Sequence, residues 1–379
     1  MPDYPRCRPV VSRCLIPLVL GAALAALLLA APASAATPWG LDHLRMSGAA
    51  VSDHVRFHDT ILRHPGHRAR AAAANGSDVV LHAPDGTAVT VTISNQYGQN
   101  PQTVQAAQNT VNFLAGRLHS FELGLLKVFV GRPSEIGKIC GASEALACYA
   151  PNEQRMYVPG EPPPNSPVPV EYIITHEYGH HIANHRKNAL GSAFILGPEY
   201  WASSQFICAG ALSDPQAFFP GDEDRHYLQN PGEGWADTYA HLPENGFESA
   251  PFQFSTLFHR DPAAFDAVRK DIFSPWPGNV TRTETGTLGS STSKKRFALV
   301  VSLDGPVVGR LNGPSGANYD LQVRLGGETV DSTHKAGSKD RVAGTLCSAP
   351  RQPPPNRLTI VVVRRSGSGP FSLKLTEAG

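Results

Sequence analysis

The sequence of 379 residues lacks an excess of charge of either sign, because 33 Lys and Arg residues nearly balance 32 Asp and Glu residues. It has no basic stripe and no acidic tail, so the charge pattern does not indicate a nucleic acid or a polycation as partner. It also lacks a Gly-x-Ser-x-Gly motif and a glycine-rich phosphate-binding loop. These absences argue against serine hydrolases of that type and against nucleotide-binding enzymes of the P-loop type.

Long apolar runs are also absent, except within residues 1–35. Three arginines there precede an apolar stretch at residues 15–29, and the small residues Ala33-Ser34-Ala35 follow it. A positive start, a short apolar run and a small-residue exit are typical of a secretory signal peptide. A membrane anchor is the alternative, although the run is shorter than the roughly 18 residues of a spanning helix. We therefore predict a secreted protein without stable membrane association after signal removal.

Cysteine is scarce, and the number that remains after signal removal is even. Two of the six cysteines lie in the predicted signal peptide, which leaves Cys140, Cys148, Cys208 and Cys347. Four cysteines in an exported chain suggest disulfides and allow three pairings. Cys140 and Cys148 are the natural local pair. The other two would then either bridge distant regions or pack as free thiols.

Periodicity divides the remaining chain into a longer α+β region and a shorter all-β region. Asp85-Gly86 between β-branched runs predicts a hairpin. Apolar residues at helical spacing predict helices at 103–118 and 170–186, whereas short alternating strands near the C-terminus are typical of a β-sandwich. The predicted segments are 36–77, a pro-segment or N-terminal arm; 78–275, the α+β region; 276–295, a Gly-, Ser-, Thr- and Pro-rich linker; and 296–379, the small all-β sandwich.

The motif that carries chemistry lies on the second predicted helix. His176 and His180 are four positions apart in the sequence HEYGH, so both imidazoles project from one helix face and can bind one metal ion. Glu177 follows the first histidine and can take a proton from a water activated by zinc. A chance match on a structural helix is the alternative. His181 and His185 fall outside the metal-binding face.

A catalytic zinc ion takes three protein ligands and keeps one open position, so a third ligand is needed from elsewhere in the chain. Asn230 and Pro231 indicate a helix start, which places Glu233 and Asp237 on one face at i and i+4. Glu233 can bind the metal while Asp237 supports a histidine ligand. Glu199 and Asp237 itself are alternative third ligands, and a purely structural role of Glu233 at the helix start is a further alternative.

HExxH followed downstream by ExxxD resembles the gluzincin class of zinc metallopeptidases. The resemblance implies an α+β zincin-like catalytic domain at residues 78–275. The interval between the two motifs is longer than in the thermolysin-like members, which keeps the alternative third ligands open. The residues that the resemblance assigns are His176, His180 and Glu233 as zinc ligands, Glu177 as general base and Asp237 as the residue that orients a ligand histidine.

Further features bear on catalysis, ions and substrate. Tyr227 or His226 could donate a hydrogen bond to the oxyanion of a tetrahedral intermediate, or both are ordinary loop residues. The acidic run at residues 222–224 could bind calcium, or it is a solvated loop. Zincins commonly hold an extended peptide at the edge strand before the motif helix, which directs attention to residues 147–149 or 155–157.

The C-terminal strands resemble the bacterial pre-peptidase C-terminal domain, a β-sandwich appended to secreted peptidases. The matching stretches are NGPSGANYDL at residues 312–321 and GSGPFSL at residues 367–373. The resemblance implies an accessory role, such as holding substrate or being trimmed during maturation. Another kind of small β-sandwich is the alternative.

Together these features predict a secreted zinc-dependent endopeptidase that acts on a protein or peptide substrate, with no nucleic-acid partner. A zinc hydrolase of a non-peptide substrate would show the same metal chemistry. A non-catalytic secreted binding protein on a peptidase fold is the alternative from another class, although such a protein has no need of Glu177. A latent precursor that is activated by cleavage near Arg68 or Arg70 is a further possibility.

Overall fold

A computed structural model describes the chain from residue 75 to the C-terminus with short gaps, together with two short strands before it. The predicted signal peptide lies outside the described residues, as does most of the segment 36–77. Within the described part of the chain, no helix is long and apolar enough to cross a membrane. The described residues are 38–39, 58–61, 75–141, 145–164, 166–213, 218–222, 226–247, 257–348 and 356–379.

The α+β part of the molecule is built on one six-stranded mixed sheet. Its predicted hairpin is confirmed, because the N–H and the hydroxyl of Thr87 bond the Asp85 carboxylate at 2.9 and 3.0 Å and Gly86 takes a φ of 89° that favours glycine. In spatial order the strands are β2 (His58–Ile61), β6 (Ala145–Ala150), β7 (Arg155–Pro159), β5 (Lys127–Gly131), β4 (Ala88–Ser94) and β3 (Gly76–His82).

Helices pack against this sheet and against one another. The predicted helix at 103–118 is shifted towards the N-terminus, because the Asn100 side chain accepts from the N–H groups of Gln102 and Thr103 and so begins the helix at Pro101. The predicted helix at 170–186 forms and ends two residues earlier than expected. The helices are α1 (Pro101–Ala115), α2 (Pro133–Cys140), α3 (Val170–Asn184), α4 (Ala193–Leu196), α5 (Glu199–Ser204), α6 (Ile207–Ser213), α7 (Pro231–Ala240) and α8 (Pro262–Phe273).

The C-terminal part is all-β, as predicted, with two sheets that share one apolar core. The predicted linker at 276–295 is wrong in its central part, because residues 280–288 form a strand that pairs antiparallel with the last strand. Its exposed threonines alternate with half-buried residues, as the two faces of a sheet strand require. One sheet has the order β1 (Pro38–Trp39), β13 (Lys339–Leu346), β10 (Gly305–Asn312), β15 (Gly369–Glu377) and β8 (Val280–Leu288), and the other β12 (Glu328–Ser332), β11 (Asn318–Leu325), β14 (Asn356–Ser366) and β9 (Lys294–Val301).

Covalent and polar contacts join the two parts. Cys140 bonds Cys148, which confirms the local pair, and Cys208 bonds Cys347 across 139 residues, which decides the open pairing in favour of a bridge. Beside this bridge, the N–H of Asp304 donates to the Ser203 hydroxyl at 2.9 Å. The described residues belong to one compact unit, and the division of the chain into separate domains stays a prediction.

Candidate metal centre

The candidate centre forms where helices α3 and α7 approach each other closely. Gly179 makes this possible, because a Cβ atom at that position would lie 3.0 Å from the Ala236 Cα. The indole N–H of Trp235 donates to the Gly179 carbonyl at 2.9 Å and fixes the two helices together. The glycine inside the HExxH motif therefore allows a second helix, which carries Glu233, to reach the two histidines.

Three donor atoms converge between these helices. The Oε2 atom of Glu233 lies 3.1 Å from the His176 Nε2 and 3.2 Å from the His180 Nε2. All three side chains are buried, with 2%, 1% and 1% exposure for His176, His180 and Glu233. Their ligand atoms lie within 4.8 Å of one another, so this group could hold a metal ion.

The donor set fits a small divalent cation. Ligands that bind a tetrahedral zinc ion at roughly 2.0–2.1 Å lie about 3.3 Å from one another, and the two observed donor separations are 3.1 and 3.2 Å. Two imidazole nitrogens and one carboxylate oxygen suit zinc and other first-row divalent ions. The three residues also leave a coordination position for a further ligand, as a catalytic metal requires.

Glu177 is fully buried on α3 and follows His176 directly. Its burial places the side chain in the water-poor interior, where an ionised group exerts a strong electrostatic effect. Its assignment as general base remains a prediction.

Asp237 lies on α7, one turn after Glu233, as predicted. It is not part of the three-residue group. Its carboxylate accepts from the Tyr172 hydroxyl and lies 3.3 Å from the His241 ring nitrogen. The Tyr172 ring in turn lies 6.4 Å, centre to centre, from the His176 ring. The direct support of a ligand histidine by Asp237 stays a prediction, and the described contacts connect Asp237 to the site through Tyr172.

Glu199, the rival third ligand, lies in a different environment. Its Oε2 accepts from the Ala189 N–H at 2.7 Å, and its Oε1 lies 3.0 Å from the Ser203 hydroxyl. Burial raises the pKa of this carboxyl to about 8. Among the described residues, the donor atoms that meet those of His176 and His180 are those of Glu233 and not those of Glu199.

The segment before α7 contains the other predicted site residues. Tyr227 is buried in a 3₁₀ turn, Tyr227–Gln229. The His226 ring stacks on Phe219 with ring centres 3.7 Å apart, and its Nδ1 lies 2.8 Å from the Asp222 carboxylate. The donor role of Tyr227 or His226 stays a prediction. The calcium prediction also stays untested, because two of its three acidic residues lie outside the described residues.

His181 has a role that the sequence did not reveal beyond its position off the metal face. Its Nε2 lies 2.9 Å from the Glu122 carbonyl and its Nδ1 lies 2.9 Å from the Tyr149 hydroxyl. Because a carbonyl only accepts, Nε2 carries the proton and Tyr149 donates to Nδ1. Burial lowers the pKa of His181 to about 3, so the ring is neutral. This contact holds α3 against strand β6, and the Arg186–Glu122 ion pair lies beside it.

The sheet edge beside α3 differs from the expected open edge. Strand β7 pairs with β5 on one side and β6 on the other, so the prediction of a substrate-binding edge at residues 155–157 is wrong. Residues 147–149 belong to β6, whose outer side pairs in parallel with β2.

No known protein-family model matches the chain, and no curated protein matches it in sequence. Solved structures are similar over about a quarter of it. The pre-peptidase C-terminal domain of collagenase from Bacillus anthracis covers 25% of this chain and 89% of its own length, at 11% identity and a TM-score of 0.22. The Yersinia pseudotuberculosis-derived mitogen covers 26% and 86%, at 14% identity and a TM-score of 0.20. At these scores the likenesses describe partial overlap in fold and imply no activity.

Proposed function

We propose that the chain is a secreted zinc-dependent endopeptidase. The observation that carries this proposal is the convergence of His176, His180 and Glu233 on one point at ligand spacing. Glu177 follows the first of these ligands on the same buried helix. A hydrolase of this kind needs a metal site and a carboxylate base side by side, and the chain has residues suited to both.

His176, His180 and Glu233 would hold the ion. When bound, zinc supplies Lewis acidity, which lowers the pKa of water and polarises a carbonyl group. The Glu177 carboxylate would take a proton from the attacking water and then deliver it to the nitrogen of the departing amine. The burial of all four side chains excludes competing water and strengthens these electrostatic effects.

The secreted location rests on the N-terminal signal pattern and on the two disulfides. Disulfides persist in oxidising compartments and are rare in the cytosol of most organisms. The C-terminal sandwich would serve as an accessory part, which the Cys208–Cys347 bridge keeps attached to the α+β part.

The test is the metal content of the purified chain from residue 36, measured together with casein hydrolysis. We expect one zinc ion per chain and hydrolysis that a chelator abolishes and added zinc restores. Bound zinc without cleavage of casein or of a broad peptide mixture, by this chain and by the same chain cut between residues 61 and 75, would contradict the endopeptidase and favour a non-peptide substrate. A chain that binds no divalent ion would contradict the metal centre itself.

A further inference from the structure

The strand beside the metal-binding helix has no free edge. Strand β6 pairs antiparallel with β7 on its inner side. On its outer side it pairs in parallel with β2, in the register His58 to Ala145 and Ile61 to Tyr149. An extended peptide binds a sheet by adding to an unpaired outer edge. In this chain a segment of its own N-terminal region fills that edge.

The filled edge lies level with Glu177. The Tyr149 hydroxyl forms a hydrogen bond with His181 at 2.9 Å, and the Pro151 carbonyl accepts one from Asn184 at 3.2 Å. The later strand residue meets the later helix residue, so β6 and α3 run in the same direction. Two strand residues back from Tyr149 is about 6.6 Å, which corresponds to roughly four residues of helix. From this spacing we infer that Ala147 lies level with Glu177.

The same register shows which part of β2 covers that level. Ala147 lies between Ala145, whose partner is His58, and Cys148, whose partner is Thr60. The backbone of residues 58–60 consequently covers the length of β6 at which a substrate chain would approach Glu177.

Both strands are anchored where they are. Cys148 of β6 is bonded to Cys140 of α2, and Ile61 at the end of β2 is buried in the main core. Strand β2 is nevertheless only four residues long. Each of its backbone hydrogen bonds contributes about 0.5–1.5 kcal/mol net, so the strand can hold the edge and still be displaced once it is cut from the body of the protein.

We propose that residues 58–61 keep the protein latent by occupying, as strand β2, the sheet edge that an extended substrate would use beside Glu177. This inference rests on the proposed peptidase function, since it assigns the regulation of that site. It distinguishes between the two predicted roles of the segment 36–77, because a strand that blocks the substrate edge is inhibitory and not only an arm. Activation then requires that β2 leave β6, and cleavage between β2 and β3 allows this.

The test uses the chain from residue 36 with a recognition sequence for a specific protease in place of residues 66–71. The protein is cut after folding, and the released fragment is removed. The matched control carries the same recognition sequence at residues 44–49, so that the cut leaves β2 attached to the body of the protein. The readouts are kcat/KM on casein and the binding of a fluorescent peptide of residues 54–64, measured by anisotropy.

We expect the cut at 66–71 to raise kcat/KM by about 10-fold or more, as when the competent state rises from a tenth of the population. The added 54–64 peptide should reverse the gain competitively, a scrambled peptide should not, and the control cut should change nothing. Release of the fragment with unchanged kcat/KM would overturn the inference and leave the proposed function intact.

Two outcomes need a second measurement. If no form hydrolyses a substrate, the proposed function fails and peptide binding decides: binding to the cut form but not to the uncut form supports the occupied edge, and binding to neither overturns it. If the fragment stays bound after cutting, the uncut double variant Asp59→Pro/Thr60→Pro is tested in place of the cut protein. Consecutive strand residues direct their N–H groups to opposite sides, so one of the prolines removes a donor towards β6. This variant should bind the labelled peptide, and failure to do so counts against the proposal.

Discussion

Two buried glutamates, Glu233 and Glu199, show how differently the same side chain can be used in one molecule. Each lies in the first turn of a short helix that has a proline at its start, and each is 1% exposed. Glu233 meets two imidazole nitrogens at 3.1 and 3.2 Å. Glu199 meets a backbone N–H at 2.7 Å and a serine hydroxyl at 3.0 Å.

The difference between them lies in what each carboxyl group needs in order to be buried. A buried carboxylate requires a cation or strong donors, whereas a protonated carboxyl requires only ordinary hydrogen bonds. Burial raises the pKa of Glu199 to about 8, and the neighbouring acids Asp304 and Asp271 add to this effect. Glu233 faces nitrogen donors that suit a shared metal ion. Burial alone therefore does not identify a ligand.

Glu177 sharpens this comparison as a third buried glutamate. Changing Glu177→Gln removes the proposed base but keeps its size and leaves the three donor residues in place. We expect zinc to be retained and kcat to fall by roughly 10²–10⁴, the usual contribution of general acid–base catalysis. The measurement is kcat on casein together with zinc content.

Glu171→Gln is the matched control for this prediction, because Glu171 lies on the same helix but is exposed in its first turn. It should leave both kcat and zinc content unchanged. A Glu177→Gln protein with full activity would remove Glu177 from the mechanism.

The same substitution applied to Glu233 and Glu199 tests their roles directly. Glu233→Gln should weaken zinc binding by more than about 100-fold, since loss of a residue that merely orients a ligand already costs 10–100-fold. Glu199→Gln should leave zinc affinity unchanged. Competition with a chromophoric chelator measures both. The reverse pattern would assign the third ligand to Glu199.

Much of the fold follows from local patterns in the sequence. The Asp85-Gly86 hairpin and the start of α7 at Asn230-Pro231 formed where the patterns placed them, and the motif helix formed with its end two residues earlier. The strand at residues 280–288 was missed because its run of threonines, glycine and charged residues has the composition of a linker. The segment forms a strand because it pairs with β15, which lies more than 80 residues later in the chain. Local periodicity in the sequence does not report such distant pairing.

The candidate site shows the same limit. The i, i+4 spacing placed His176 and His180 on one face, because helix geometry alone determines this. The choice between Glu233 and Glu199 depended on which helix packs against Gly179, and the spacing of the motifs does not contain that information. The occupied edge at β6 was likewise not predictable, since it arises from parallel pairing with a strand more than 80 residues earlier in the chain.

The two disulfides can also be compared, because the Cys208–Cys347 bridge lies near Ser203, the hydrogen-bond partner of Glu199. Replacing Cys208 and Cys347 by serine should lower the free energy of unfolding by about 2–4 kcal/mol, because their bridge closes the longer loop. The bridge between Cys140 and Cys148 spans only eight positions, so its replacement should cost less. Urea unfolding of both double variants measures the difference. An equal or larger loss at Cys140/Cys148 would contradict the prediction.

The smallest predicted effect is the pH dependence that Glu199 confers on stability. Its pKa is about 8 in the folded protein and 4.5 in its unperturbed state. Between these values the folded protein holds a proton that the unfolded chain releases. The free energy of unfolding therefore falls as pH rises through this window, by at most about 1.4 kcal/mol per pH unit. Asp271 and Asp304, with pKa values of about 7, act in the same direction but are largely ionised above pH 7.

Glu199→Gln isolates this contribution between pH 7 and pH 8.5. The amide resembles the protonated acid: its oxygen accepts from the Ala189 N–H, and its NH₂ group donates to the Ser203 hydroxyl, at the positions of the two carboxyl oxygens. Over this interval, we expect the free energy of unfolding of the original protein to fall by about 1 kcal/mol more than that of Glu199→Gln, as measured by urea unfolding. Glu244→Gln is the control. Glu244 is partly exposed and pairs with Arg269, which lowers the pKa of the Glu244 carboxyl. Glu244 therefore stays ionised throughout this interval. If Glu199→Gln kept the full pH dependence, Glu199 would be ionised at neutral pH, and its contrast with Glu233 would then lie in the partners alone.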